Sequence, residues 1–145
     1  MTIQSNGKTL SFKILDYQFP IHEVDGGGDV NWYMIEVTFD DGQKEHVYRD
    51  PCISADELLR LIKKLEHMLR GKVVFISSAS VFLEPYLEFA FTRIGDEIAI
   101  GMKFYYDVNH RPWRFHELTE MIQKDDLRVV IKNLKKMYKV YPVRE

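Results

Sequence analysis

Trp32-Tyr33-Met34-Ile35-Glu36-Val37-Thr38-Phe39-Asp40-Asp41-Gly42-Gln43-Lys44-Glu45-His46-Val47-Tyr48-Arg49 is the stretch that decides the fold. Tyr33, Ile35, Val37 and Phe39 fall on one face of an extended chain, and Trp32, Met34, Glu36 and Thr38 on the other. That is the period of a strand with one face in a core. Asp40-Asp41-Gly42 is a hairpin turn signal, so Gln43 to Arg49 is predicted to pair back antiparallel.

The same periods extend outward. Leu10, Phe12 and Ile14 alternate with Ser11, Lys13 and Leu15, which predicts an earlier strand. His22 to Asp29, with Gly26-Gly27-Gly28, has no period and is read as a loop. Ser54-Ala55-Asp56-Glu57 matches a capping box, in which hydroxyl and carboxylate satisfy free backbone N–H groups. Leu58, Leu61/Ile62, Leu65 and Leu69 follow at helical spacing and Gly71 supplies a stop, predicting a helix near Ala55–Arg70. Val73 to Ile76, Phe82 to Arg93, Glu97 to Tyr106 and Trp113 to Ile122 read as strands, with a tight turn at Ile94-Gly95-Asp96. Lys124-Asp125-Asp126 places acid at the positive end of a second helix near Asp125–Tyr138, striped by Leu127, Val130/Ile131, Leu134 and Tyr138. The expected fold is α+β: about seven strands of mainly antiparallel sheet covered by two amphipathic helices. No repeat, linker or low-complexity segment divides residues 1–145, so one domain is expected.

Composition narrows the function classes. The 46% apolar and 29% charged residues are a globular profile, and no apolar run approaches a membrane span. Met1 to Lys8 lacks the pattern of a signal peptide. With Cys52 as the one cysteine, no internal disulfide forms and a cytoplasmic location is expected. The net charge of −2 hides an asymmetry: residues 1–59 hold 4 basic and 11 acidic groups, residues 60–145 hold 16 and 11. Acid gathers at Glu23, Asp25 and Asp29, and again at Asp40, Asp41 and Glu45. Base gathers from Lys124 to Lys139 without interleaved exposed aromatics, so neither nucleic acid nor membrane is expected as a partner.

A search for catalytic residues finds little. His22, His46, His67, His110 and His116 show no helical i, i+4 pairing and no Cys-x-x-Cys exists, so neither metal nor cofactor is expected. Strand alternation puts His116 on the face opposite Trp113. The triglycine lacks the ending of a phosphate loop, and Ser77-Ser78 has no identifiable triad partners. Glu84 stands in the most apolar stretch, between Leu83 and Pro85. It is either a structural carboxylate paired with Arg144, Arg114 or backbone N–H groups, or a general base. A non-enzyme is expected; the rival is a ligand-binding protein or enzyme with a pocket near Glu84, Trp113 and His116.

Several pieces, taken in order, carry a resemblance. They are Asp29-x-Asn31-Trp32, Cys52, Ser54-x-x-Glu57-Leu58, Leu83-Glu84-Pro85-x-Leu87, Trp113, Asp126-Leu127 and the terminal Tyr141-Pro142-x-Arg144. From about Val30 to Arg144 the chain resembles the WapI family of bacterial immunity proteins. The resemblance implies a small cytoplasmic protein that binds the C-terminal domain of a cognate secreted toxin and inhibits it stoichiometrically. Such toxins are often nucleases with basic clefts, which acid at Glu23, Asp25, Asp29, Asp40 and Asp41 would complement. On this reading Trp32 and Trp113 are core anchors, and Glu84 and Arg144 a buried pair. The oligomeric state stays open.

Overall fold

The computed structural model describes residues 1–20, 28–78 and 84–144. Its first sheet is β1 (Thr2–Ser5), β2 (Lys8–Tyr17), β3 (Trp32–Asp40) and β4 (Glu45–Ser54), in that order. Its second is β5 (Phe75–Ser77), β6 (Leu87–Ile94), β7 (Glu97–Asp107) and β8 (Arg114–Gln123), again in order. Every neighbouring pair is antiparallel. Helix α1 (Ala55–Leu69) joins the sheets and α2 (Lys124–Val140) follows β8. The expected α+β class is the one found, with eight strands among the described residues rather than about seven. The extra strand is β1, which pairs Ile3 with Leu10 across the tight turn at Asn6-Gly7.

The core follows from the alternation. Phe12, Tyr33, Ile35 and Val37 are buried on the inner face of the first sheet, and Leu87, Phe89, Ile100, Met102 and Phe104 on that of the second. Phe12 meets Phe89 at 5.5 Å between ring centroids, so the two inner faces share one core. β1 lies alongside β8, where the Gln4 amide donates to Glu120 Oε2 at 3.0 Å.

Both helices begin as their sequences dictate. Glu57 N–H donates to Ser54 Oγ at 3.3 Å, and Ser54 N–H donates to Glu57 Oε2 at 2.9 Å. At the other end Gly71 takes φ +76°, which glycine adopts without penalty, and Arg93 Nη1 donates to the Met68 carbonyl at 2.8 Å. The Gln123 amide donates to Asp126 Oδ2 at 2.9 Å where α2 starts. Leu58, Leu61, Leu65, Leu127, Ile131 and Leu134 form the buried stripes, and Lys135 pairs with Glu66 between the helices. The basic excess of the helices lies in α2, which holds six basic and two acidic residues, whereas α1 holds three of each. No helix among the described residues is long and apolar enough to cross a membrane.

Two boundaries differ from expectation by five residues. β6 starts at Leu87 rather than Phe82, so Glu84 precedes the strand and does not share a strand face with Glu88. Pro85 offers no N–H to a ladder, which accounts for the late start. β4 continues to Ser54 through an irregularity opposite Tyr33/Ile35, where Pro51 sits. Proline is tolerated there because β4 is an edge strand at a bulge. The bulge turns Cys52, Ile53 and Ser54 inward in succession and delivers the chain into α1.

Candidate binding cleft

A cleft of about 510 Å³ opens where the ends of β2, β3 and β4 meet the approach to β6. Gln18 and Phe19 come from the end of β2, Trp32 from the start of β3, and Asp50 and Pro51 from the bulge in β4. Glu84 and Tyr86 enter from ahead of β6. The Gln18 amide donates to the Trp32 carbonyl at 2.7 Å, and the Tyr105 amide to the Tyr86 carbonyl at 2.9 Å, so two walls are pinned by backbone.

Two carboxylates, Asp50 and Glu84, line this cleft, and among the described residues no cation joins them. Burial, and then the charge of Glu84, raise the Asp50 carboxyl above its ordinary range. Among the described residues neither Asp50 nor Glu84 has an ion pair or a hydrogen-bonded side-chain partner. Burial, reinforced by Asp50, Glu57 and Glu84, pushes the Cys52 thiol far up. Cys52 is fully buried, so it is a core residue and not a nucleophile. An aromatic-walled hollow holding two unpaired carboxylates is suited to receive a positive group.

From the cleft a strip of rings runs over the second sheet. Tyr86 meets Trp113 at 5.9 Å, Trp113 meets Tyr105 at 5.5 Å, and Tyr105 meets Phe115 at 5.7 Å. Lys103 Nζ lies 4.1 Å from the Phe115 ring centre. Phe115 is 46% exposed, and Tyr86, Tyr105 and Trp113 are half-buried. The sequence held one usable signal for this strip. Ile98, Ile100, Met102 and Phe104 fix the inner face of β7, which throws Tyr105 outward beside its register partner Phe115.

The residues singled out from sequence are dispersed. Trp32 and Trp113 are not core anchors: Trp32 lines the cleft and Trp113 belongs to the strip. Arg144 is not paired with Glu84. Its guanidinium lies 3.6 Å over the Tyr17 ring and donates to the carbonyls of Phe19, at 2.9 Å, and Val30. It therefore ties together the two flanks of the acidic segment that holds Glu23 and Asp25. Those two residues lie outside the described residues, as does the side chain of Asp29, whose backbone is in a short turn at Gly28–Asn31. Arg114 is exposed at the start of β8.

Asp40 and Asp41 sit at the opposite end of β3, roughly 26 Å from Trp32 at the strand rise. Asp40 Oδ1 accepts the Gly42 amide at 2.8 Å, and Asp41 Oδ1 accepts those of Gln43 and Lys44, each at 2.8 Å. The bonds from Lys44 and Gln43 lower the Asp41 carboxyl. Asp40 and Asp41 are thus at the end of β3 away from the short turn at Gly28–Asn31, and their carboxylates build their own turn.

His116 points to the inner face, opposite Trp113, as alternation requires. It stacks between Phe39 at 4.0 Å and Tyr106 at 4.5 Å, and its Nε2 shares a hydrogen bond with Tyr48 Oη at 2.9 Å. Glu84 lines the cleft with Tyr86, whose ring meets Trp113, but His116 does not join them, so these three residues do not form one pocket. No group of three or more metal-ligating side chains occurs among the described residues.

The chain belongs to the immunity protein WapI-like family, whose model matches residues 1–142. No curated protein and no solved structure gives a significant match.

Proposed function

We propose that this member of the WapI-like immunity family is a cytoplasmic inhibitor that binds the C-terminal domain of a cognate secreted toxin and blocks it by occupancy. The full-length family match carries the reading. The cleft supports it, because unpaired carboxylates in an open hollow are complementary to a basic surface such as a nuclease's substrate groove. Inhibition then requires no chemistry from this chain: a masked active site excludes its substrate while the complex lasts.

The segment that carries Glu23, Asp25 and Asp29 follows Phe19, which lines the cleft, and acid there would add to the attraction of a basic partner. Asp40 and Asp41 contribute long-range attraction from the far end of β3 rather than direct contact. The test is co-expression with the toxin domain encoded beside this gene. Cells should survive in proportion to the amount of this protein. Cell death despite folded, abundant protein would remove the reading.

A further inference from the structure

The cleft and the ring strip share a wall. Tyr86 lines the first and begins the second, so carboxylates and aromatics form one uninterrupted surface. Aromatic side chains on the solvent side of a sheet are costly to expose. Tyr and Trp recur at the centres of protein interfaces, where they bury large areas with little loss of rotamer freedom. Four linked rings are also far longer than a small ligand, whereas a protein partner covers roughly 800 Å² on each side. The unpaired Asp50 and Glu84 select the sign of that partner.

We propose that the toxin domain docks on this continuous face, laying an apolar patch against Tyr105, Trp113 and Phe115 and inserting a cationic side chain between Asp50 and Glu84. The inference rests on the immunity reading and adds the residues and the partner's surface chemistry to it. Lys103 over the Phe115 ring, flanked in register by Glu88 and Glu117, closes the far end of the strip. The basic helix α2 is kept from contact with a basic partner by like charge.

The experiment titrates the neighbouring toxin domain, catalytically disabled, against this protein by calorimetry. Phe115→Ser with Tyr105→Ser should weaken binding about 30-fold or more, the scale of interface hot spots, and Asp50→Asn with Glu84→Gln should do likewise. Lys132→Glu with Lys136→Glu on α2 should leave affinity unchanged or improve it. Hydroxyl-radical footprinting of the unmutated complex should protect Tyr105, Trp113 and Phe115, which keeps the test valid if a variant misfolds. Wild-type binding that survives both variant pairs, with no protection of the strip, would overturn this face and leave immunity standing. Absence of wild-type binding would overturn both readings. Self-association abolished by Phe115→Ser would assign the strip to a second copy of this chain instead.

Discussion

The guanidinium of Arg144 lies 3.6 Å over the ring of Tyr17, and around that stack the end of the chain is stitched to the first sheet. Asn31 and Arg144 exchange two hydrogen bonds, Arg144 N–H to Asn31 Oδ1 at 2.6 Å and Asn31 Nδ2 to the Arg144 carbonyl at 3.2 Å. Tyr141 Oη donates to the Leu15 carbonyl at 2.7 Å, while Tyr17 and Tyr33 donate to the carbonyls of Pro142 and Tyr141.

Arg144→Ala should therefore lower stability by about 1–3 kcal/mol, from charge-assisted hydrogen bonds and a stacked cation lost together. Arg144→Lys should recover only part of it, because an ammonium cannot reproduce the planar fork that reaches Phe19 and Val30. Urea unfolding of the three proteins checks both statements.

Glu84→Gln should not destabilise. An acid whose folded pKa is raised binds its proton more tightly in the folded state, so its ionisation costs stability, and the cost is complete above the folded pKa. Removing the Glu84 charge relieves part of that cost for Asp50. The carbon-13 titration of the Asp50 carboxyl should move to lower pH in Glu84→Gln, and the melting temperature at pH 7 should stay or rise. A fall in melting temperature would restore the paired-carboxylate expectation.

His116 carries the opposite dependence. Burial, then the neighbouring His46, lower its pKa, with Asp41 opposing. The unfolded chain thus takes up the proton first, and stability present at pH 7 should decline as pH falls through about 6.5, the unfolded value. His116→Phe keeps a ring between Phe39 and Tyr106 and should flatten this acid limb, read as melting temperature between pH 7 and 5.

Ser54→Ala should cost about 1 kcal/mol, the usual worth of an N-cap. The loss should appear in the unfolding midpoint without touching toxin affinity, since the cap is buried at the start of α1 and does not line the cleft.

Association with a basic toxin domain should slow as salt rises, because exposed charges are screened beyond roughly 8 Å at physiological ionic strength. Lysine at Asp50 and Glu84 should reduce both on-rate and residence time, and lysine at Asp40 chiefly the on-rate. Stopped-flow fluorescence of the two tryptophans follows both rates.

The elements were legible because they are set by local periods and caps: Tyr33 to Phe39, Ser54 with Glu57, and Leu127 to Leu134 each announce themselves within a few residues. The cleft was not, because its walls come from four separate chain segments, and the pairing of sheet ends that joins Asp50 to Glu84 has no local signature. Trp32 and Trp113 misled for a related reason. A large apolar ring reads as core in any sequence, and only the register of Tyr105 with Phe115 exposes the face on which Trp113 lies. Asp40 and Asp41 look like free charge until their carboxylates are seen accepting amides of their own turn.

The separation of charge between α2 and the rest of the chain gives the molecule a handle on its own orientation. A cationic partner at several nanometres feels little of any one carboxylate, but its field exerts a torque on the whole dipole. The basic face of α2 swings away and the acidic remainder of the chain swings toward it before contact, so a larger share of collisions begins with the acidic side forward.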